Sequence, residues 1–415
     1  MSAIQVPAGP LRPTRRLLRT ALAAAVTTAL ALGALGQAAP AQAGPARDTL
    51  ARDTPAQADP AGTVHSIPVP GTDPLRRSLA RRATELFSMV GVTWDDPDAH
   101  LGGTAEVRTH SAETGEWRPW QELDADAHTP ETGPDRGRAG VRGGTQPLWT
   151  GLSDGVQVRV AGRDLPAGLR VELVDPDGGP ATAPRAARTR TAGPAADRPA
   201  VTPRSDWGAD ESLVVNPPTY TTDTKAVFVH HTAGTNDYTC AQSASIVRGI
   251  FLYHVQGNGW NDIGYHFLVD KCGTVFEGRA GGIDRPVLGA HTYGFNTDTS
   301  SVSVLGDYTT AAPAAVARDA VARVAAWKLG LYGGDPAGTV VLTAGADNGK
   351  YTAGQKVTLH RISGHRDGYP TECPGGHLYA ELPAIRVPAA AAGAGAGTTA
   401  PEPGPGRRGA ERRTR

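Results

Sequence analysis

Apolar and polar residues alternate over short segments in the first half of the chain, at residues 90–94, 105–109, 156–160 and 169–173. The alternation is strict in the last three segments, as expected for strands with one buried face. Gly, Pro and Asp residues separate these segments. We therefore predict a small all-β, sandwich-like domain over residues 63–180, with one short helix at residues 74–87.

The tryptophans of this first domain are interpreted as core residues rather than as a ligand platform. They lie at predicted strand ends or turns, at Trp94, Trp117, Trp120 and Trp149. We identify no catalytic set in this domain, and its role does not follow from the sequence.

The pattern changes to that of an α/β domain over residues 201–388. Residues 225–229 form a continuous apolar run, which is typical of a strand buried on both faces. Further strands are predicted at residues 265–270, 274–277, 302–305 and 357–360. One helix is predicted at residues 240–255, ended by Gly257. We expect a mixed central sheet flanked by helices.

A long helix is predicted to begin near Pro313, because proline is favoured in the first turn of a helix. Five residues share one apolar face of this helix, namely Val316, Ala320, Val324, Trp327 and Leu331. The last ordered segment is predicted at residues 378–385.

The N-terminus resembles an export signal. Arginines precede an apolar run at residues 20–36, and residues 41–43 form an A-x-A cleavage site, so residues 1–43 are interpreted as a signal peptide. The pair Arg15 and Arg16 resembles a twin-arginine signal. An ordinary secretory signal and an uncleaved anchor remain alternatives. No other apolar run approaches membrane length, so we expect a secreted protein without a membrane span after cleavage.

Three further stretches are expected to lack a packed core. Residues 44–62 are interpreted as a flexible N-terminus, residues 181–200 as a linker and residues 389–415 as a disordered tail of Ala, Gly, Pro and Arg. The chain has 415 residues and a formal net charge of zero. This balance argues against a nucleic-acid partner, and we expect a monomer.

The three cysteines, Cys240, Cys272 and Cys373, are an odd number for an exported protein. If Cys373 binds a metal, Cys240 and Cys272 remain as a disulfide pair. The alternative is that Cys240 and Cys272 are two buried free thiols.

A candidate metal site is distributed over two distant segments. The predicted strand at residues 225–229 leads into His230 and His231, and a loop rich in glycine and proline holds His365 and Cys373. Adjacent strand residues point to opposite sides, so at most one histidine of the pair easily faces the site. Two imidazoles and one thiolate would form a zinc set with an open fourth position, the arrangement of catalytic zinc sites.

Five motifs, in order, resemble those of the peptidoglycan recognition proteins, which are related to zinc N-acetylmuramoyl-L-alanine amidases of the phage-lysozyme type. The resemblance covers residues 201–388 and rests on Phe228-Val229-His230-His231-Thr232-Ala233, residues 259–269, Glu277-Gly278-Arg279, residues 290–296, and residues 364–375. It implies zinc held by His230, His365 and Cys373, and hydrolysis of the amide between the lactyl group of muramic acid and L-alanine.

The resemblance also implies roles for other residues. Tyr265 supports the reacting water or the oxyanion, Thr371 makes a second transition-state contact, and His231 is supporting. The stem-peptide groove is implied at His254, Gly259, Trp260, His291, Tyr293 and Asn296. The pair Gly259-Trp260 matches diaminopimelate-type binders, and Arg279 could meet the extra carboxylate. The alternative is that Trp260 and Arg279 hold the fold together.

Two other functions are compatible with these motifs. One is a wall-binding module without activity that uses the same groove. The other is a zinc carboxypeptidase or endopeptidase that cuts within the stem peptide. The sequence has no H-E-x-x-H motif, so it does not resemble the zincin proteases. We expect peptidoglycan as the partner and an extracellular, wall-associated location.

Overall fold

The structure is a computed structural model that describes residues 62–125, 130–178 and 198–394. All of them belong to one compact unit, Gln57–Arg415. The predicted signal peptide, nearly all of the predicted flexible N-terminus and most of the predicted linker lie outside the described residues. Among the helices described, none combines the length and apolar character that crossing a membrane requires.

The first domain, residues 62–178, is all-β, as predicted. Its strands are β1 (Thr63–Pro68), β2 (Arg76–Trp94), β3 (Gly103–Ser111), β4 (Gln121–Leu123), β5 (Gly143–Gly144), β6 (Leu148–Gly162) and β7 (Arg170–Asp175). The order across the sheet is β1-β7-β2-β6-β3-β4, and β5 pairs with the end of β2. All these pairs are antiparallel.

The predicted helix at residues 74–87 is wrong, because this stretch belongs to β2. Its backbone pairs with β6 from Arg76 onward. The four arginines among residues 76–82 are tolerated because most of the first half of β2 is exposed. Pairing with a partner 66 to 85 residues later in the chain outweighs local propensity here.

The tryptophans of the β domain divide into two groups. Trp94 and Trp149 are buried, and the indole N–H of Trp94 donates to the carbonyl of Ala99 at 2.9 Å. Trp117 and Trp120 remain partly exposed beside the guanidinium of Arg108. The core interpretation therefore holds for only two of the four.

The second domain, residues 198–394, has a mixed five-stranded sheet, as predicted. Its strands are β8 (Ala226–His231), β9 (Phe267–Val269), β10 (Val275–Glu277), β11 (Thr299–Val304) and β14 (Ile362–Gly364), in the order β10-β9-β11-β8-β14. Only the β10–β9 pair is antiparallel. Strands β12 (Thr339–Thr343) and β13 (Lys356–His360) form a separate ladder.

Helices cover both faces of this sheet. They are α1 (Arg204–Trp207), α2 (Ser243–Leu252), α3 (Ala315–Gly330), α4 (His365–Gly368), α5 (Gly376–Ala380) and α6 (Leu382–Ala394). Helices α3 and α6 share one cluster with Val227, Val229 and Val302, whereas α2 shares another with Leu268 and Phe276. After α2, one π-helical turn runs over Tyr253–Gly257.

Two expectations about helices need correction. Val316 and Leu331 are exposed, and the buried face of α3 instead includes Ala317, Ala320, Val321 and Val324. The small alanines on this face allow close packing. Helix α6 continues through Ala394, into the stretch expected to be disordered, because its alanines are the best helix formers. Residues 395–415 lie outside the described residues.

The disulfide between Cys240 and Cys272 is confirmed. It joins the 3-10 turn Cys240–Gln242, which precedes α2, to the turn between β9 and β10. The bond therefore ties helix α2 to the antiparallel edge of the sheet.

The two domains share a hydrophobic cluster. Met89 and Trp149 of the β domain lie in the same cluster as Ile246, Ile250 and Tyr253 of the α/β domain. The close approach is seen at Gly91, where an added Cβ would lie 2.4 Å from the Tyr253 ring. The domains are therefore joined by a core rather than only by a linker.

Candidate metal centre

Strand register places the two predicted histidine ligands side by side. Gly364, the last residue of β14, pairs with Val229 of β8 in a parallel ladder. The next residues along the two strands are His365 and His230, whose ring centroids lie 4.5 Å apart. Side chains at the carboxyl ends of adjacent parallel strands are a usual location for a ligand site in α/β sheets.

Cys373 reaches the same point from the loop after α4. Its Sγ lies 3.8 Å from Nδ1 of His230 and accepts a hydrogen bond from the backbone N–H of His231 at 3.4 Å. The backbone N–H of Cys373 donates to Oγ1 of Thr371 at 3.0 Å. Thr371 therefore fixes the cysteine loop, and its hydroxyl hydrogen can still donate elsewhere.

The donor set fits zinc. The ligand atoms of His230, His365 and Cys373 all lie within 4.8 Å of one another, and the three residues are buried. Burial, with the neighbouring imidazoles of His365 and His291, holds the pKa of His230 well below its ordinary value. The neutral imidazole is the form that binds a metal.

Thr292 is a neighbour of this set to which the sequence analysis gave no role. Its Oγ1 lies 3.4 Å from Nε2 of His230 and 2.9 Å from Nδ1 of His291. Nδ1 of His230 is thereby left to face Cys373. Such a partner on the second ring nitrogen orients a metal-binding histidine. The sequence signal that could have identified Thr292 is its position next to His291 in the motif at residues 290–296.

His231 points away from the set, as alternation along a strand requires. Its Nδ1 accepts a hydrogen bond from the backbone N–H of Tyr308 at 3.2 Å. Burial lowers its pKa to about 4. This contact connects the end of β8 to the loop after β11.

Tyr265 lies against the same set. Its ring centroid is 5.3 Å from that of His230, and its hydroxyl donates to Oε1 of Gln146 at 3.3 Å. Burial, with the nearby Cys373 and Asp124, raises the pKa of Tyr265. The phenol therefore keeps its proton at neutral pH and can act as a hydrogen-bond donor.

His254, Gly259 and Trp260 form one wall beside Tyr265. The rings of His254 and Trp260 stack with centroids 4.6 Å apart, and Nδ1 of His254 accepts from the Gly264 N–H at 3.2 Å. Burial lowers the pKa of His254 to about 3. Gly259 has φ of +73°, a conformation that favours glycine.

The 291–296 loop contains the remaining predicted groove residues. Oδ1 of Asn296 accepts from the backbone N–H groups of His291 and Thr292, at 2.7 and 3.0 Å. Tyr293 is partly exposed and borders a cleft of about 520 Å³ between the two domains. Of the predicted groove residues, His291 lies beside His230 and His254 beside Tyr265, with ring centroids 5.4 and 6.0 Å apart, whereas Tyr293 lies at the cleft.

Arg279 is buried and already paired. Its guanidinium donates two hydrogen bonds, each 2.9 Å, to the carboxylate of Asp135 in the β domain. Its Nε donates to the carbonyl of Ile263 at 3.0 Å. The predicted carboxylate-binding residue therefore binds a carboxylate of its own chain.

Sequence reasoning missed the contributions of the β domain to this site. Gln146 contacts Tyr265, and Glu131 contacts Asn296, whose Nδ2 donates to Oε2 at 2.6 Å. No sequence signal could have found them, because they lie more than 100 residues from their partners and belong to no quoted motif.

Two family descriptions match this chain. The family described as N-acetylmuramoyl-L-alanine amidase matches residues 220–376. The family described as Rv3811 N-terminal galactose-binding domain-like matches residues 43–200. The first range contains the three candidate metal ligands, and the second contains the whole described β domain.

Known proteins that resemble this chain are peptidoglycan-recognition proteins. Peptidoglycan-recognition protein SC2 of Drosophila simulans is 32% identical over 154 residues, 37% of this chain and 70% of that protein. The peptidoglycan recognition protein of Trichoplusia ni is 32% identical over 38% of this chain and 71% of that protein.

A solved structure also resembles part of this chain. Wild-type Drosophila PGRP-LB has 27% identity and a TM-score of 0.34, covering 43% of this chain and 90% of that one.

Proposed function

Since the chain belongs to the peptidoglycan-recognition protein family, we propose that it is a zinc-dependent N-acetylmuramoyl-L-alanine amidase. Family membership supports peptidoglycan binding or amidase activity. The finer assignment rests on one observation, the buried cluster of His230, His365 and Cys373. A module that only binds would not need two imidazoles and a thiol in ligand geometry.

The proposed reaction is hydrolysis of the amide between the lactyl group of muramic acid and L-alanine. His230, His365 and Cys373 would hold the zinc, and Thr292 would orient His230. When bound, zinc supplies Lewis-acid polarisation of the carbonyl and lowers the pKa of a water to roughly 7.

Tyr265 would stabilise the transition state as a hydrogen-bond donor. Its raised pKa keeps the phenol protonated, so the hydroxyl can donate to negative charge that develops on the carbonyl oxygen. Thr371 holds the Cys373 loop through the Cys373 N–H, and its free hydroxyl hydrogen is available for a second contact. No carboxylate is assigned as general base.

The stem peptide would bind along His254, Gly259, Trp260, His291, Tyr293 and Asn296. Arg279 would meet the additional carboxylate of diaminopimelate, since its present partner is a carboxylate held by both terminal nitrogens. This geometry supports a diaminopimelate-type stem. The disulfide is consistent with an extracellular, wall-associated protein.

The test uses the full chain, because the two domains share a core. The zinc-loaded, chelated and zinc-restored proteins are incubated with diaminopimelate-type peptidoglycan, and released fragments are identified by mass. We expect intact stem peptides that begin with L-alanine, lost with chelator and restored by zinc. Shorter fragments would indicate a peptidase, and binding without release would indicate a recognition module.

A further inference from the structure

A stretch of the β domain lies along the groove predicted for the stem peptide. This covering segment, residues 130–146, makes polar contacts with four candidate site residues or their backbone. They are Tyr265, Asn296, Arg279 and Trp260.

Two carboxylates of the covering segment pair with residues predicted to bind the stem peptide. Asp135 pairs with Arg279 through two hydrogen bonds of 2.9 Å and also accepts from the Asn261 N–H at 2.9 Å. Glu131 accepts from the side chain and the backbone N–H of Asn296, at 2.6 and 3.2 Å. A stem peptide also bears carboxylates, so Glu131 and Asp135 present to the groove residues the same kind of group as the proposed ligand.

Apolar and backbone contacts continue along the segment. Val141 packs in a small cluster with Trp260 and Ala290. The carbonyl oxygen of Gly140 would lie 2.8 Å from a Cβ added at Gly259. These contacts leave no space for a second chain between the segment and this wall of the groove.

The groove does not fit the covering segment completely. Trp260 Nε1 and His291 Nε2 are buried and have no hydrogen-bond partner among residues 62–125, 130–178 and 198–394. Unsatisfied buried polar groups cost free energy. A ligand with further acceptors and donors would satisfy groups that the segment leaves unpaired, and could therefore displace it.

We propose that the covering segment is an intramolecular competitor for the stem-peptide groove, and that muramyl peptide binds only to the form in which residues 130–146 are displaced. This inference rests on the proposed function, because it takes the groove to be the peptide site. The apparent affinity for the peptide then equals the intrinsic affinity multiplied by the fraction of molecules whose groove is open.

The test measures calorimetric binding of a soluble diaminopimelate-type muramyl peptide to the zinc-free full chain, so that hydrolysis does not interfere. The first variant, Glu131→Gln with Asp135→Asn, removes both carboxylate charges. The second, Arg138→Ala, removes only the guanidinium that donates to the Trp260 carbonyl. The control, Asp177→Asn, breaks an ion pair to Arg248 elsewhere on the interface.

We expect muramyl peptide to bind both segment variants about tenfold more tightly, or better, than the wild type and the control. Amide hydrogen exchange should also show that residues 130–146 lose protection when the peptide binds to the wild type. Arg138→Ala leaves no buried charge unpaired, so it keeps the comparison valid if the double variant does not fold.

Equal affinity in all proteins, with residues 130–146 still protected in the complex, would overturn the proposal. Absence of binding even in the segment variants would overturn it as well. If the variants bind more tightly but do not hydrolyse the peptide after zinc is restored, the proposal of a competing segment is supported. Only the proposed amidase activity is then excluded. The two failures are therefore distinguishable.

Discussion

The hydroxyl of Tyr253, in the π-helical turn of the α/β domain, donates to the carbonyl of Thr145 in the β domain at 2.9 Å. The ring is fully buried and lies directly against Gly91. One side chain thus joins the core of one domain to the backbone of the other.

Tyr253→Phe should lower the free energy of unfolding by about 1–2 kcal/mol, since it leaves a buried carbonyl unsatisfied. Denaturant unfolding followed by tryptophan fluorescence and circular dichroism measures this change. Tyr220→Phe is the control, because Tyr220 also donates to a carbonyl but is exposed. Two separate transitions in the wild type would contradict a shared core.

Cys373→Ser should remove zinc and amidase activity together. Loss of a hydrogen-bond partner of a metal ligand typically weakens metal binding by about 10- to 100-fold. Loss of the ligand itself should therefore weaken zinc binding by more than about 100-fold. Metal content after dialysis and stem-peptide release are the measurements. His360→Ala, an exposed histidine on β13, should retain both. Hydrolysis by the serine variant would refute the assigned ligand set.

Tyr265→Phe should keep zinc but lower kcat by roughly 10²–10³, the usual effect of losing one transition-state donor. The comparison is Tyr332→Phe, whose hydroxyl donates to the Asp284 carbonyl away from the metal set. Steady-state kinetics on a soluble muramyl peptide separate kcat from KM. Near-normal turnover with full zinc content would exclude this role for the phenol.

The pair of Asp135 and Arg279 should persist through mild acid. Burial alone would raise the pKa of Asp135, but the Arg279 guanidinium and backbone hydrogen bonds bring it below the ordinary 3.8. A lowered folded-state pKa contributes stability above pH 3.8 that is lost as the pH falls through the folded-state pKa.

The measurement for this pair is the unfolding free energy of wild type minus that of Asp135→Asn, as a function of pH. The difference should be constant between pH 5 and 8 and shrink below pH 3.8. If this difference already shrinks near pH 6, the pKa of Asp135 is not lowered in the folded protein.

Reduction of the bond between Cys240 and Cys272 should destabilise the α/β domain without removing the metal. The two cysteines are 32 positions apart, and closing a loop of this length is worth about 3–4 kcal/mol. The double variant Cys240→Ser with Cys272→Ser should melt earlier than wild type yet retain zinc. Concurrent loss of zinc would mean that the bond also maintains the site.

The sequence motifs and the family resemblance predict that His230, His365 and Cys373 lie together, as they do, but they do not predict the structure around these residues. The apolar run at residues 225–229 predicts the strand that ends at His230, whereas the short strand β14 that positions His365 is not predicted by the sequence. The contacts of Gln146 and Asp135 depend on how two domains pack, which no periodicity encodes. The arginine-rich half of β2 is a strand for a related reason, because its pairing with β6 determines its conformation.

The cluster shared by Met89, Trp149 and Ile250 has a consequence for the history of this protein. Substitutions on β2 and on α2 must remain compatible with each other, so the two domains cannot be exchanged freely between unrelated chains. An amidase domain transplanted from another protein would need its own residues complementary to Met89 and Gly91. We therefore expect the two domains to be inherited together, as a coevolving pair rather than as interchangeable modules.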